Sequence, residues 1–437
     1  MKVGVPKETV EGERRVGVVP EGVAKLRDRG LEVIVEAGAG RDFNLDEAYE
    51  EAGADVVSDA GEVWSQADLI AKVRAPTEEE LAHVHDGQFL ISFLAPVPGA
   101  ELVKELAERG VTAVSMDAIP RITRAQSMDA LSSQSSVAGY KCMLMGADAL
   151  GKLVPMMTTA AGTTKAASVL VLGAGVAGLQ AIAMGTRLGA DVYAFDIRPE
   201  TKEQIESRGA TFVEEKQEQD SDQAEEEGEG PRPGLPGLWD ELKLAFGVKL
   251  ESDSRSAGAG DASVDQEEEE DDEDTGGYAQ EQGEDKQQRD QELVKARLGE
   301  TDIVVTTALV PGKRAPTLLT TEMVEEMPAG SVVVDLAAEA GGNCELTEPG
   351  ETVEHEQVRV IGPRDVPSGV PVHASQLYSR NVVSLISHLV TDGDDDGAEI
   401  ELDFDDEITD GAVLCHGGEI RHESVREALS QGDKAET

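Results

Sequence analysis

Gly173-Ala174-Gly175-Val176-Ala177-Gly178 is a GxGxxG, and Asp196 stands eighteen residues after its last glycine. Residue types at this spacing suit a dinucleotide. Gly173 permits a tight turn, and Gly175 lets a pyrophosphate approach the backbone. Gly178 lets a helix lie close to a sheet, with its N-terminal amides facing the phosphates. A carboxylate at Asp196 accepts hydrogen bonds from the adenosine ribose hydroxyls and repels a 2′-phosphate, which favours NAD(H) over NADP(H). Arg198 tempers that preference, because an arginine there is able to hold a phosphate. A bare GxGxxG serves turns as readily as nucleotides, so its meaning depends on the flanking elements.

Those elements have the required order. Residues 168–172 are a Val/Leu run fit for a strand buried on both faces, 176–188 are helical in pattern and stop at Gly189, and 192–195 are a second strand. Residues 1–110 alternate short apolar runs with helical spacings but lack a GxGxxG, so they predict a separate α/β domain. From Ser115 polar and small residues dominate, and a helical pattern over 137–150 would lead from the first domain to the second, with residues 121–135 at the cleft. Residues 301–307 and 331–336 are strands of the second sheet, and 371–390 read as a helix that recrosses the cleft. The expected fold is two doubly wound parallel-sheet domains of Rossmann type with a cleft between them. The first comprises 1–125 plus 345–390. The NAD-binding domain comprises 126–344, interrupted by 214–290. Residues 391–437 are an acidic C-terminal tail with a candidate β-hairpin, 400–404 pairing with 411–422.

The formal net charge is −50. Residues 214–290 hold 27 acids against 7 bases and include eight consecutive acids at Glu267–Asp274. That stretch is expected to be a disordered insertion, with a transient helix over 237–250. The rest still carries 61 acids against 31 bases, so the acidity is global. Such a surface repels itself in ordinary buffer, and screening falls to about 3 Å at 1 M salt; a cytoplasm of very high salt is the expected setting. The same charge argues against nucleic acid as a partner. No apolar run reaches the length of a membrane span and no signal-peptide core is present. The three cysteines and seven histidines form no metal-ligand spacing, and no metal is expected.

The stretches PRITRAQSMDALSSQSSVAGY (120–140), VLGAGVAGLQAI with AFDIRPETKEQ, TTALVPGKRAP (306–316), VVVDLAAEAGGNCELTEPGE (332–351) and SQLYSRN (375–381) are specific. Together they resemble the NAD(H)-binding alpha subunit of proton-translocating nicotinamide nucleotide transhydrogenases, in the alanine dehydrogenase/transhydrogenase family. The resemblance runs from Met1 to about Val390. It implies a subunit that binds NADH, active only with partner chains that carry NADP and the membrane helices, in the split form of the enzyme. It also implies a homodimer, peripheral at the cytoplasmic face of the membrane through those partners. No residue is then needed as acid or base. Arg121, Gln126, Asp129 and Ser132 become the nicotinamide-side contacts, with Arg121 and Asp129 as a candidate pair. Gly173, Gly175, Val176, Gly178, Asp196, Ile197, Arg198 and Leu309 contact the rest of the nucleotide. Gly277 and Tyr278, within GGYA, match a mobile loop whose tyrosine folds over it.

Two rivals remain. Alanine dehydrogenases share Arg15 (ERRVG) and Lys72 (AKVRAP), which serve pyruvate in that family, but their catalytic histidine falls at Ala95 in this chain. Without an imidazole, imine reduction lacks an obvious proton shuttle, and Arg15 and Lys72 are expected to be structural leftovers or ion-pair members. The other rival is a non-catalytic NAD-binding regulatory subunit, which would not require the polar set from Arg121 to Ser132.

Overall fold

The computed structural model describes residues 1–214, 284–310, 313–392 and 398–435. Six parallel strands form most of the first sheet, in the spatial order Thr112–Ser115, Phe89–Ser92, Leu69–Ala71, Lys2–Val5, Glu32–Glu36, Asp55–Val57. Numbered along the chain, this is the 3-2-1-4-5-6 order of a doubly wound sheet read from the other edge. The second sheet repeats it with Thr211–Phe212, Asp191–Phe195, Ser168–Leu172, Ile303–Thr306, Val332–Asp335 and Val358–Ile361, and adds Thr352–His355 as an antiparallel edge.

Strand side chains alternate between faces, so each sheet separates two apolar layers. In the first, Val3, Val5, Leu69, Ala71 and Ile91 face the helix Pro371–Leu389 through Tyr378, Val382 and Ile386. Ile34, Ile70, Leu90 and Ala113 face the opposite layer, with Trp64, Val103 and Leu106. In the second sheet, Val169 and Val171 pack on Cys142 and Met143 of the helix Ala130–Ala149, whereas Leu170 and Leu172 pack on Val294, Leu298 and Met323. Burial on both faces explains why these strands are continuous apolar runs.

The helix Ala130–Ala149 starts in the first core, where Ala130 is buried, and continues into the second at Ala138 and Cys142. Its small residues permit very close packing. A Cβ on Gly139 would strike the Ala177 carbonyl, and one on Gly146 would come within 2.8 Å of Ile303. Overpacking at contacts this close, with backbone at Gly139 and with the Ile303 side chain at Gly146, typically costs about 1–3 kcal/mol, which accounts for glycine at these two helical positions.

Three expectations about chain organisation need correction. Thr352–His355 and Val358–Ile361, expected in the first domain, belong to the second sheet. The C-terminal segment is no separate tail: Val413–His416 pairs antiparallel with Thr112–Ser115 and makes a hairpin with Glu419–Ile420. Of its expected partner, 400–404, Ile400 instead belongs to the strand Ala398–Ile400, which pairs with Val390–Asp392. An open sheet edge takes whichever strand the chain brings to it, whatever that strand's composition, as with Val413–His416 at the first sheet and Val358–Ile361 at the second. Val390–Asp392 and Ala398–Ile400, by contrast, form a two-stranded sheet of their own. Helix Glu284–Leu298 also begins before Gln291, inside the stretch expected to lack structure. The remainder of that stretch, including 237–250, Gly277 and Tyr278, lies outside the described residues. Among the described residues no helix is long and apolar enough to cross a membrane.

Candidate functional site

The Ser168–Leu172 strand ends in Gly173, whose φ of 96° lies in the left-handed region open to glycine. The helix Val176–Arg187 follows at once. A Cβ on Gly178 would collide with the Gly173 carbonyl, whereas one on Gly175 would meet nothing within 4 Å. The third glycine therefore serves helix–turn packing, and the second leaves the backbone open. Asp196 ends the next strand and is buried; its carboxylate accepts the Ala174 N–H at 2.6 Å, closing the turn. It also accepts from the Arg198 backbone N–H at 2.9 Å and from the guanidinium at 3.0 and 3.1 Å. That hydrogen bond raises the Arg198 pKa further, and it turns the arginine toward the carboxylate.

Around this turn lies a cavity of about 480 Å³ at the carboxyl end of the second sheet, within the ~300–1,000 Å³ range of small-molecule sites. Gly173, Gly175, Val176, Asp196, Ile197, Arg198 and Leu309 all line it. From the cleft side Arg121, Leu131, Ser132 and Ser135 complete the wall. Gly178 does not line it and acts through packing. Gln126 is exposed on a 3-10 turn, Thr123–Met128. Asp129 caps the Ala130–Ala149 helix, accepting the Ser132 N–H at 2.8 Å and its hydroxyl at 2.5 Å. Neither Gln126 nor Asp129 borders the cavity; both stand on the turn that leads to it.

Three residues that sequence reasoning missed hold the remaining wall. Thr307 donates to the Gly173 carbonyl at 3.0 Å, tying the turn to the next strand. Asn343 binds both the N–H and the carbonyl of Ala308, at 3.0 and 2.9 Å, and the Pro316 carbonyl at 2.8 Å. Asp335, fully buried, accepts from Thr306, Ala337, Asn343, Cys344 and Thr347. The available signal was a carboxylate ending an otherwise apolar strand, because a buried acid must recruit donors.

Arg15 and Lys72 meet carboxylates, as their expected role as ion-pair members requires. Arg15 is clasped by both oxygens of Glu13, at 2.8 and 2.6 Å, and reaches Gln134 at 2.9 Å. Lys72, with no exposed surface, donates to Glu80 at 2.6 Å and lies 3.8 Å from Glu8. Arg74 bridges Glu13 and Asp365, and Ser368 donates to Glu13 at 2.6 Å. Ala95 carries a methyl on a left-handed residue, φ 49°, and its N–H donates to Asp117 at 2.9 Å. Burial alone pushes the Glu13 carboxyl up, but hydrogen bonds from Arg15 and Ser368 and the charge of Arg15 outweigh it and hold the group at about 2. For Glu8 burial prevails over the attraction of Lys72, and the carboxyl is pushed up to about 7.

A two-domain α/β protein with a dinucleotide fingerprint at the switch point of its second sheet is the class these features define. The chain belongs to the alanine dehydrogenase/PNT family: residues 4–138 match its N-terminal domain and residues 142–423 its C-terminal domain. It is 40% identical over 431 residues to an NAD(P) transhydrogenase subunit alpha polypeptide of Rhodospirillum rubrum, covering 97% of this chain and 99% of that one. The crystal structure of transhydrogenase from Sinorhizobium meliloti superposes with a TM-score of 0.75 at 36% identity, over 96% of this chain and 100% of that one. An L-alanine dehydrogenase structure superposes with a TM-score of 0.70 at 26% identity, over 99% of both chains.

Between its ordinary 4.5 and about 7, Glu8 holds a proton in the folded state that the unfolded chain has released. Stability therefore falls as pH rises through that window. Glu8→Gln, which imitates the protonated acid, is expected to stabilise the protein at pH 8 by on the order of 2 kcal/mol, with the gain shrinking toward pH 5. Urea unfolding at the two pH values measures it.

Proposed function

We propose that this chain is the NAD(H)-binding alpha subunit of a proton-translocating NAD(P) transhydrogenase, passing hydride between NADH held here and NADP held on a partner subunit. The observation that carries the reading is one cavity lined by the glycine turn and Asp196 at one end and by Arg121 and Ser132 at the other. The residues fit a dinucleotide. Gly175 offers open backbone beside the amides that start the Val176–Arg187 helix, a setting for a pyrophosphate. In this reading Asp196, which follows the second strand and lines the cavity, accepts the ribose hydroxyls, and Ile197, Val176 and Leu309 supply apolar wall. The bound nicotinamide supplies a hydride at C4, so that NADH and NADP⁺ become NAD⁺ and NADPH without a side-chain proton. The work left to the protein is to fix the ring and exclude water. Arg121 and Ser132 from the cavity wall, with Gln126 and Asp129 from the adjoining turn, take the carboxamide and nicotinamide ribose in this reading.

The ion pairs favour this reading over an alanine dehydrogenase. A carboxylate substrate needs unsatisfied cations, yet Arg15 and Lys72 are each within 3 Å of a glutamate. A methyl at Ala95 moves no proton. In about 3 M KCl, NADH is expected to bind the isolated chain in preference to NADPH, with no turnover of alanine or of pyruvate with ammonium. Asp196→Ala is expected to weaken NADH at least ~10-fold and to narrow the NADH/NADPH ratio. NADH fluorescence reads both, and oxidation of NADH by pyruvate and ammonium would replace the reading with a self-contained dehydrogenase.

The global acidity supports a high-salt cytoplasm as the working environment, with the chain peripheral at the membrane through NADP-binding and membrane-embedded partner subunits. The melting temperature is expected to rise by roughly 10 °C or more between 0.1 M and 3 M KCl, as self-repulsion is screened; an unchanged value removes this part of the proposal. A homodimer is supported by the hairpin Met157–Thr159/Gly162–Thr164, which stands exposed beside Leu153, Met156 and Met157, at 49, 65 and 41% exposure. Large apolar side chains grouped at that exposure suit a covered surface. Met156→Lys combined with Met157→Lys is expected to halve the mass seen by sedimentation; a monomeric wild-type chain would count against the dimer.

A further inference from the structure

We propose that Asn381 is a positioning residue for hydride transfer, one that sets the turn carrying Gln126, Asp129 and Ser132 from a helix of the first domain. The inference rests on the reading of that turn as the nicotinamide contact. Asn381 lies on the helix Pro371–Leu389, whose apolar face is fixed in the first core by Tyr378, Val382 and Ile386. Its side chain is 7% exposed and uses both ends of the amide. Nδ2 donates to the Ser127 carbonyl at 2.8 Å, and Oδ1 accepts the Ser133 hydroxyl at 2.8 Å. A carbonyl only accepts, so the Ser127 contact itself defines which end is nitrogen.

These two bonds grip the chain on both sides of Asp129. Ser127 is in the 3-10 turn and Ser133 in the first turn of the next helix. The Asp129 cap orients the start of that helix but ties it to nothing in the first domain. Among the other connections to the first domain, the Gln134 amide donates to the Ala374 carbonyl at 3.0 Å, and Ala125, Met128 and Ala130 are buried in the first core. Arg124, by contrast, pairs with Asp406 at 2.8 Å with its side chain 61% exposed. An exposed pair contributes at most about 1 kcal/mol, and concentrated salt screens it. Asn381 is neutral and buried, so salt leaves its bonds in place. Together with the Gln134 contact this amide persists in concentrated salt, and it holds the chain on both sides of Asp129.

Loss of the grip shifts the turn and leaves the glycine turn and Asp196, which belong to the second sheet, where they are. The expected signature is a split between chemistry and binding. A displacement near 1 Å costs on the order of 100-fold in rate, with NADH affinity within a few-fold of wild type. In Asn381→Asp the Ser127 carbonyl faces a carboxylate, and hydride transfer falls. Burial raises the pKa of that acid, and its protonated form again donates to Ser127. The ratio of variant to wild-type rate therefore recovers as pH falls from 8 toward 6, which a general loss of structure would not produce.

The experiment measures hydride transfer from NADH to an NADP⁺ analogue in the chain reconstituted with its NADP-binding and membrane partners. NADH affinity and melting temperature are taken on the same preparations. Asn381→Asp and Ser133→Ala are compared with Gln126→Ala and Ser132→Ala. A loss of at least 10-fold in transfer with NADH affinity retained, and recovery of Asn381→Asp at low pH, supports the inference. If Asn381→Asp does not fold, Ser133→Ala decides, because it removes one bond without burying a charge. Unchanged transfer in the Asn381 and Ser133 variants, beside a loss in Gln126→Ala or Ser132→Ala, overturns the positioning role and leaves the functional reading standing. So does a fall in transfer matched by an equal fall in NADH affinity. If Gln126→Ala and Ser132→Ala also transfer normally, the turn is not the nicotinamide contact and both proposals fall.

Discussion

Close backbone approach between two helices ties the cleft to the nucleotide turn. Gly139 of the Ala130–Ala149 helix lies against the Ala177 carbonyl, and the next residue, Gly178, lies against the Gly173 carbonyl. Gly173 is in turn held by Thr307 from the neighbouring strand. A side chain at Gly139 or Gly178 would push these layers apart. The same helix begins in the first core and carries Ser132 to the rim of the cavity. One rigid element thus relates the glycine turn to the cleft-side residues, and the cavity inherits its dimensions from that contact.

Charge is handled differently inside and outside. Within the first domain Glu13 and Glu80 meet Arg15, Arg74 and Lys72 across distances of 2.6–2.9 Å. Removing one partner of such a pair strands the other, so these groups are bound together energetically. The family contains both alanine dehydrogenases and transhydrogenase subunits, and the paired cations bear on which chemistry is open to this chain. Cations already satisfied by carboxylates have little to offer a keto acid. On the outer surface pairs such as Arg14–Asp42 and Lys25–Glu21 leave most of the negative charge uncompensated, because acids outnumber bases by 50 over the chain.

The cavity wall shows how much of a site is made by residues that touch no ligand. Asp335 draws five donors to one carboxylate, and one of them, the Asn343 N–H, orients the residue whose side chain holds Ala308. Ala308 and Leu309 then form wall. Buried polar groups of this kind are costly unless satisfied, and satisfying them leaves the loop little conformational freedom.

What was legible in the sequence was local or periodic. The glycines and the acid after the second strand obey spacings that the strand–turn–helix geometry dictates, and the apolar runs mark strands because both faces of each sheet are covered. The motifs from Pro120 to Asn381 carried the family resemblance in residue types alone. Tertiary structure decided which sheet each late strand joined. Thr352–Ile361 entered the second and Val413–Ile420 the first, since strand pairing uses backbone groups common to every residue. It also decided the roles of Asn343 and Asn381. An amide reads as an ordinary polar residue until folding brings to it a carbonyl from far along the chain, as Ser127 comes to Asn381 across 254 positions.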